Sequence, residues 1–113
     1  MKWQGDQPIY LQLKEKIVAG ILEGVFPEGE ALPSIRQVAV DYQLNHITIA
    51  KAYQLLVEEG LLEKRRGLGM FVNKGAQQNL LKSERARFLD KEWPLIYKRV
   101  KRLHIKIEDL INE

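Results

Sequence analysis

The 113-residue sequence contains no cysteine and only two histidines. The absence of cysteine excludes disulfide bonds, thiolate catalysis and thiolate metal sites, and it is typical of a reducing compartment. His46 and His104 lie far apart in the sequence and lack the spacing of metal ligands. No stretch approaches the apolar length of a membrane span, and the N-terminus has no apolar signal core. We therefore expect a cytoplasmic protein that binds no metal, cofactor or membrane.

Residues that could carry catalysis are also few. No glycine-rich loop of the P-loop or dinucleotide-binding type occurs, because Gly67 and Gly69 belong to a hairpin pattern. Glu58 and Glu59 lie at a predicted helix end, where a solvated pair is favoured over an acid–base couple. The sequence therefore indicates a protein without catalytic residues that is not an enzyme.

What the chain does contain is enough for one small domain and an appendage. Hydrophobic residues make up 45% of it, which suffices for a modest core. The net charge is +3, but residues 1–75 carry nine basic and nine acidic side chains, whereas residues 76–113 carry nine and six. An N-terminal part that is neutral overall must bind any anionic partner through local basic clusters, with moderate affinity per copy.

Residues 32–60 predict two helices joined by a tight turn. Ser34 and Gln37 have the spacing of a capping box at the start of the first helix. Asn45 is the predicted N-cap of a second helix, which runs from His46 to Glu59 and ends at a left-handed Gly60. The residues that form the apolar face of the first helix are Ile35, Val38, Ala39 and Tyr42.

The second helix has two different faces. Its predicted buried stripe consists of Ile49, Ala52, Tyr53 and Leu56. Its opposite face carries Ile47, Ala50, Lys51 and Gln54, with His46 and Thr48 in the first turn. Small, polar and basic side chains suit a helix that lies in a major groove, and the unpaired N–H groups at its start would attract a phosphate.

Residues 62–72 predict a hairpin with a basic approach to its tip. Leu62 and residues 70–72 are strand-like, and Gly67-Leu68-Gly69 forms a tip in which glycine permits positive φ. Lys64-Arg65-Arg66 leads directly into that tip, and such a hairpin fits a phosphate ridge or a minor groove. A solvated basic turn is the alternative, but the preceding helix-turn-helix pattern favours contact with DNA.

These blocks have a family resemblance when they are taken in order. The blocks are Pro8-Ile9-Tyr10, residues 32–36, 45–53 and 59–61, and the hairpin residues 65–72. Over roughly the first two-thirds of the chain they resemble the N-terminal domain of the GntR family of bacterial transcription regulators. The resemblance implies a winged helix and a homodimer that binds an inverted repeat.

The resemblance also implies roles for single residues. Arg36 matches the guanine-reading arginine, and Gly67 matches a minor-groove contact at the wing tip. The chain departs from the pattern at His46, where many members carry arginine or proline, and at Ile47, where they carry a polar residue. Asn45, Thr48 and Lys51 match recognition-helix contacts. The predicted DNA-binding set is Ser34, Arg36, Asn45, His46, Ile47, Thr48, Lys51, Arg65, Arg66, Gly67 and Gly69.

The rest of the chain predicts a linker at residues 73–79 and then a helical tail. Its apolar seam, at steps of three and four, consists of Ala86, Leu89, Trp93, Ile96, Val100 and Leu103. Pro94 predicts either a kinked, nearly continuous helix or a new helix from about Asp90, and the unbroken register favours the former. A turn at 103–105 and a short helix at 107–111 follow.

About 38 residues rarely bury a core of their own, so the apolar seam is most simply a dimer interface. The alternative is that it folds back on its own chain. The predicted dimerisation residues are Leu89, Trp93, Ile96, Val100 and Leu103. The tail resembles the short C-terminal regions of the YtrA-like branch of the GntR family. This resemblance allows a small-molecule effector but does not identify one. The basic residues 98–106 favour a solvated face, with a phosphate or acidic-effector site as the alternative.

The fold class predicted is mainly α with a small β-hairpin. A winged helix-turn-helix domain at 1–75 is followed by a helical dimerisation region at 76–113. The favoured function is a homodimeric transcription regulator, most simply a repressor, on an inverted repeat of double-stranded DNA. The alternative is a winged-helix module for protein–protein assembly without specific DNA binding.

Overall fold

The computed structural model describes Trp3 and residues 5–112. The order of its elements is α1 (Ile9–Leu22), α2 (Ile35–Tyr42), α3 (His46–Glu58), β1 (Leu62–Arg65), β2 (Gly69–Val72), α4 (Ala76–Arg87), a π-helical segment (Phe88–Glu92), α5 (Trp93–Arg102) and α6 (Ile107–Ile111). The chain divides into two compact units, the first ending at Leu80 and the second beginning at Leu81.

The first unit is a winged helix-turn-helix, as predicted. One face of each of the helices α1, α2 and α3 packs with the inner residues of the hairpin. The members of this core include Leu13, Ile17, Ile21, Val38, Ile49, Ala52, Tyr53, Leu56, Leu62 and Val72. All four residues of the predicted buried stripe of α3 are buried, which confirms the helical period on which the prediction depended.

The connector after α1 is held against that helix by an aromatic ring. Phe26 packs against the core and lies beside Gly20 of α1. A methyl group at Gly20 would approach within 2.5 Å of the Phe26 ring, so only glycine permits this contact. Gly24, with φ of +81°, follows the helix end.

The caps of α2 and α3 are confirmed in their main part. The Ser34 hydroxyl accepts from the Gln37 backbone N–H at 3.1 Å, and the Asn45 side chain accepts from the Ile47 N–H at 2.8 Å. The reciprocal half of the predicted capping box is wrong, because the Gln37 amide donates to Asp41 at 2.8 Å, one turn further along. Tyr42, predicted on the apolar face of α2, is exposed, since it lies beyond the part of that helix that the core covers.

The hairpin has the predicted strands and an additional neighbour. β1 and β2 pair antiparallel, with Leu62 opposite Val72 and Arg65 opposite Gly69. The segment before α2 also pairs with β2, because the Gly29 N–H donates to the Val72 carbonyl and the Leu32 N–H donates to the Met70 carbonyl, both at 2.8 Å. Because glycine and glutamate interrupt the apolar residues of this segment, its sequence pattern does not predict the pairing.

The predicted linker at 73–79 is wrong from Ala76 onward. Ala76 is the first residue of α4 and is buried in the core of the first unit. The Gln77 amide donates to the Leu22 carbonyl at 3.0 Å, and its backbone N–H donates to Glu28 at 3.1 Å. Contacts with α1 and the connector therefore stabilise a helix start whose own sequence is only polar.

The helical chain is continuous through Pro94, and a π-helical turn accommodates the proline. The Trp93 N–H donates to the Phe88 carbonyl, five residues back. This longer step places Trp93 beside Phe88, with ring centroids 6.4 Å apart, and Tyr97 follows at 5.8 Å from Trp93. Phe88, Trp93 and Tyr97 thus form an aromatic row that the predicted seam did not include, whereas Leu89 of that seam is exposed and stays a predicted dimerisation residue.

The other predicted dimerisation residues differ in exposure. Ile96 and Leu103 are exposed and Trp93 is half-buried, whereas Val100 is only 8% exposed. Val100 thus packs within its own chain and has little surface left for a second copy. The turn after α5 and the short helix α6 lie where they were predicted. Within the described residues, no helix has the length and apolarity to cross a membrane.

Candidate nucleic-acid interface

The turn between α2 and α3 fixes the two helices relative to each other. Gln43 ends α2 in the left-handed region, with φ of 53°, and Leu44 packs partly buried against the core. The Tyr53 hydroxyl, on the buried side of α3, donates to the Pro33 carbonyl at 2.6 Å. Burial raises the pKa of this hydroxyl to about 12, so it keeps its proton and continues to donate into the alkaline range above pH 10.

The start of α2 presents an arginine beside its cap. Arg36 is exposed, two residues after Ser34, and it forms no ion pair with any residue that the structure describes. Its guanidinium is therefore available for the bidentate pairing with guanine that the sequence resemblance implies. Ser34 is exposed, but its hydroxyl is engaged in the cap.

The outward face of α3 is polar, small and accessible. His46, Ile47 and Lys51 are exposed, Ile47 at 76%, and Thr48 is half-buried. An exposed isoleucine here can contact a thymine methyl group or another apolar part of a base edge. Asn45 is exposed as well, with its side-chain oxygen committed to the Ile47 N–H.

The two wing arginines are held differently. The Arg65 guanidinium lies 4.2 Å from the centroid of the Phe71 ring, and its Nε is 3.8 Å from a Glu63 carboxylate oxygen. Arg66 is exposed and has no ion pair within the described part of the chain. The structure thus orients Arg65 on the strand and leaves Arg66 free beside the tip.

Two glycines shape the tip itself. The Leu68 N–H donates to the Arg65 carbonyl at 2.9 Å, which closes a four-residue turn. Gly67 occupies its third position with φ of +77°, the backbone conformation that a type II turn requires there, and Gly69 has φ of +114°. A side chain at Gly67 would be strained, and its absence also keeps the tip narrow.

A groove of about 410 Å³ brings residues of the three predicted segments together. Ser34 lines it from the start of α2, Ala50 and Gln54 from α3, and Arg65 and Gly67 from the wing. Lys64 lines it too. Sequence reasoning placed these segments on one DNA-binding surface, but it did not select Ala50, Gln54 and Lys64 as site residues. Their signal was their position on the outward face of α3 and in the basic run.

The same fold and the same blocks occur in known proteins. A model of bacterial regulatory proteins of the gntR family matches residues 9–72, more than half of the chain. The chain belongs to the GntR family. A family of regulatory proteins points to a non-enzyme.

Three similarities place this GntR-family member more closely. It is 34% identical over 81 residues to the transcriptional repressor YtrA of Bacillus subtilis (strain 168), a match that covers 72% of this chain and 62% of YtrA. This agrees with the resemblance to the YtrA-like branch. A transcriptional regulator from Oenococcus oeni has a crystal structure with a TM-score of 0.75 and 28% identity, covering 97% of this chain and 90% of that one.

A third similarity is to a protein solved with DNA. The crystal structure of AraR(DBD) in complex with operator ORR3 matches with a TM-score of 0.58 and 30% identity. It covers 64% of this chain and 87% of the AraR chain. The winged helix is therefore shared with a domain that binds an operator.

Proposed function

We propose that this GntR-family chain is a homodimeric transcription regulator that represses by occupying an inverted-repeat operator in the cytoplasm. The observation that carries the proposal is the groove that Ser34 of α2, Gln54 of α3 and Gly67 of the wing line together. The start of α2, the outward face of α3 and the wing therefore form one surface, on which each would contact a different part of a duplex. The winged-helix unit that ends at Leu80 reads DNA, and the helical residues from Leu81 onward mediate dimerisation.

Each part of the surface has a distinct task. Arg36 pairs with a guanine, while the face of α3 that carries Ile47 and Thr48 lies in the major groove. Arg66 and the Gly67 tip reach a phosphate ridge or the neighbouring minor groove. The side chains of Ser34 and Asn45 accept the capping hydrogen bonds of α2 and α3. These two residues therefore act by orienting the helix starts, where backbone N–H groups bind phosphates.

Dimerisation follows from the charge and from the tail. A module that carries nine basic and nine acidic residues binds a polyanion only moderately, and two linked modules gain affinity through effective concentration. The aromatic row of Phe88, Trp93 and Tyr97 supplies an apolar surface for a second copy. Two-fold symmetry would place the two α3 helices in successive major grooves, about 34 Å apart.

Repression is the favoured sign of regulation. YtrA, the relative that is 34% identical to this chain, is named a transcriptional repressor. A dimer that covers a promoter needs no further partner to act in this way. A small-molecule effector would act by changing the dimer.

The decisive experiment is selection of bound sequences from a random duplex pool, followed by a salt series on the selected duplex. We expect an inverted repeat whose affinity falls steeply with salt, because the protein displaces counterions from phosphates. The alternative function, protein–protein assembly without specific DNA binding, predicts no enriched sequence and no duplex binding at low salt.

A further inference from the structure

The lysine on the outward face of α3 is held by the first helix. The Lys51 ammonium lies 4.0 Å from the centroid of the Tyr10 ring, on α1. Lys51 is exposed and Tyr10 is half-buried. The ring therefore restrains the ammonium from one side and leaves it open to an anion from the other.

This contact places Lys51 at one edge of the outward face. With 3.6 residues per turn, Ile47 and Gln54 lie near the middle of that face and Ala50 lies toward the wing. Ala50 and Gln54 line the groove beside the wing, whereas Lys51 leans toward α1. The Lys14–Glu59 ion pair between α1 and the end of α3 marks the same edge.

A helix in a major groove meets base edges at its centre and phosphodiester walls at its flanks. A compact ammonium at the flank pairs with a phosphate, because it lacks the planar fork with which arginine reads guanine. The contact with Tyr10 moves the charge away from the bases and toward the wall on the α1 side.

We propose that Tyr10 is a positioning residue, whose ring holds Lys51 for a DNA phosphate, so that Lys51 contributes to affinity and not to sequence discrimination. This inference rests on the proposed duplex binding. It assigns to α1 a part in the interface with DNA. Base reading is then left to Arg36 and to the centre of α3.

The experiment compares the selected operator, the operator with one base pair substituted in each half-site, and a random duplex, at several salt concentrations. We expect Lys51→Ala to weaken all three by the same factor, which leaves the discrimination ratio unchanged. The slope of log K against log salt should become less steep by about 0.9 per protomer. Tyr10→Leu should weaken binding by about two- to fivefold, and Tyr10→Phe should retain the wild-type affinity.

The double variant separates positioning from an independent contact. If the ring acts through the lysine, Tyr10→Leu combined with Lys51→Ala should bind no more weakly than Lys51→Ala alone. Lys16→Ala is the matched control, because Lys16 is another lysine beside a ring, 5.9 Å from Trp3, on a different face of α1. It should leave the salt slope unchanged.

Three results would overturn the inference while the proposed function stands. These are a discrimination ratio that changes in Lys51→Ala, an effect of Tyr10→Leu that persists without Lys51, and a Tyr10→Phe variant as weak as Tyr10→Leu. Thermal denaturation of each variant identifies a loss of fold. A wild-type protein that enriches no sequence would instead overturn the proposed function, and this inference with it.

Discussion

Tyr53 links α3 to the chain that leads into α2. Its hydroxyl donates to the Pro33 carbonyl, and burial raises its pKa from 10.0 to about 12. At neutral pH, Tyr53→Phe should lower the free energy of unfolding by about 1 kcal/mol, because it removes this hydrogen bond. Urea denaturation measures the loss.

The same variant tests the titration of Tyr53. The folded state holds the Tyr53 proton more tightly than the unfolded state does. The stabilisation of the fold by the protonated hydroxyl is therefore complete below pH 10 and is lost as pH rises through about 12. Between these values the free energy of unfolding should fall more in the wild type than in Tyr53→Phe. Parallel pH profiles for the two proteins would contradict the assignment.

In the proposed function, Arg36 is the residue on which base discrimination depends most. Arg36→Ala should cost about 1–3 kcal/mol on the selected operator and relax the preference at one base pair, because a bidentate contact with guanine is lost. Fluorescence anisotropy with operator and single-substitution duplexes measures both effects.

Arg36→Lys is the control for charge at this position. It keeps a cation and loses the planar fork, so it should recover non-specific affinity without the base preference. An equal loss of binding on operator and on random DNA in Arg36→Ala would remove Arg36 from base reading.

At the scale of elements, the sequence predicted what depends on local rules. The caps Ser34 and Asn45 and the buried stripe of α3 follow from residue types at fixed spacing, and the structure has them. The pairing of Gly29 and Leu32 with β2 did not follow, because this short segment has no strand pattern of its own and pairs only where the fold brings it beside β2. The contact of Lys51 with Tyr10 likewise depends on how α1 packs against α3, which no local pattern encodes.

The wing should act as a unit whose charge sets general affinity. Arg65→Ala combined with Arg66→Ala should weaken binding to every duplex and flatten the salt slope by about 0.9 for each phosphate contact that is lost. Arg65→Ala alone should also release Phe71 from its cation–π contact, so its effect on stability should exceed that of Arg66→Ala.

Titration of a random duplex at several salt concentrations measures the effect of the wing substitutions on DNA affinity. Urea denaturation measures their effect on stability separately. A salt slope that the double variant leaves unchanged would remove the wing from the interface.

The π-helical segment is the place where the predicted heptad spacing of the tail does not hold. Steps of three and four across Leu89 and Trp93 assume 3.6 residues per turn, and a five-residue hydrogen bond breaks that assumption. Pro94 signals an irregularity in the sequence, but a kink, a helix break and a π turn all satisfy it. The row of Phe88, Trp93 and Tyr97 could therefore not be predicted from regular helical spacing.

For the whole molecule, assembly is the property with the clearest test. Trp93→Ala combined with Ile96→Ala should give monomers in sedimentation velocity, because it removes the centre of the aromatic row and an exposed apolar neighbour. Leu95→Ala is the matched control, since Leu95 is 68% exposed on another face of α5. A dimer that persists in the double variant would place the interface elsewhere.

The pairing of the segment before α2 with β2 has a consequence for how the wing and Arg36 would act on one half-site. The Leu32 N–H donates to the Met70 carbonyl on β2, and Arg36 lies only four residues after Leu32. If the wing and Arg36 bind DNA as proposed, a displacement of the wing by an unusually wide or narrow minor groove would be transmitted through this pairing to the proposed guanine contact. Base-pair changes beneath the wing and beneath Arg36 should consequently combine non-additively, although no base is touched by both.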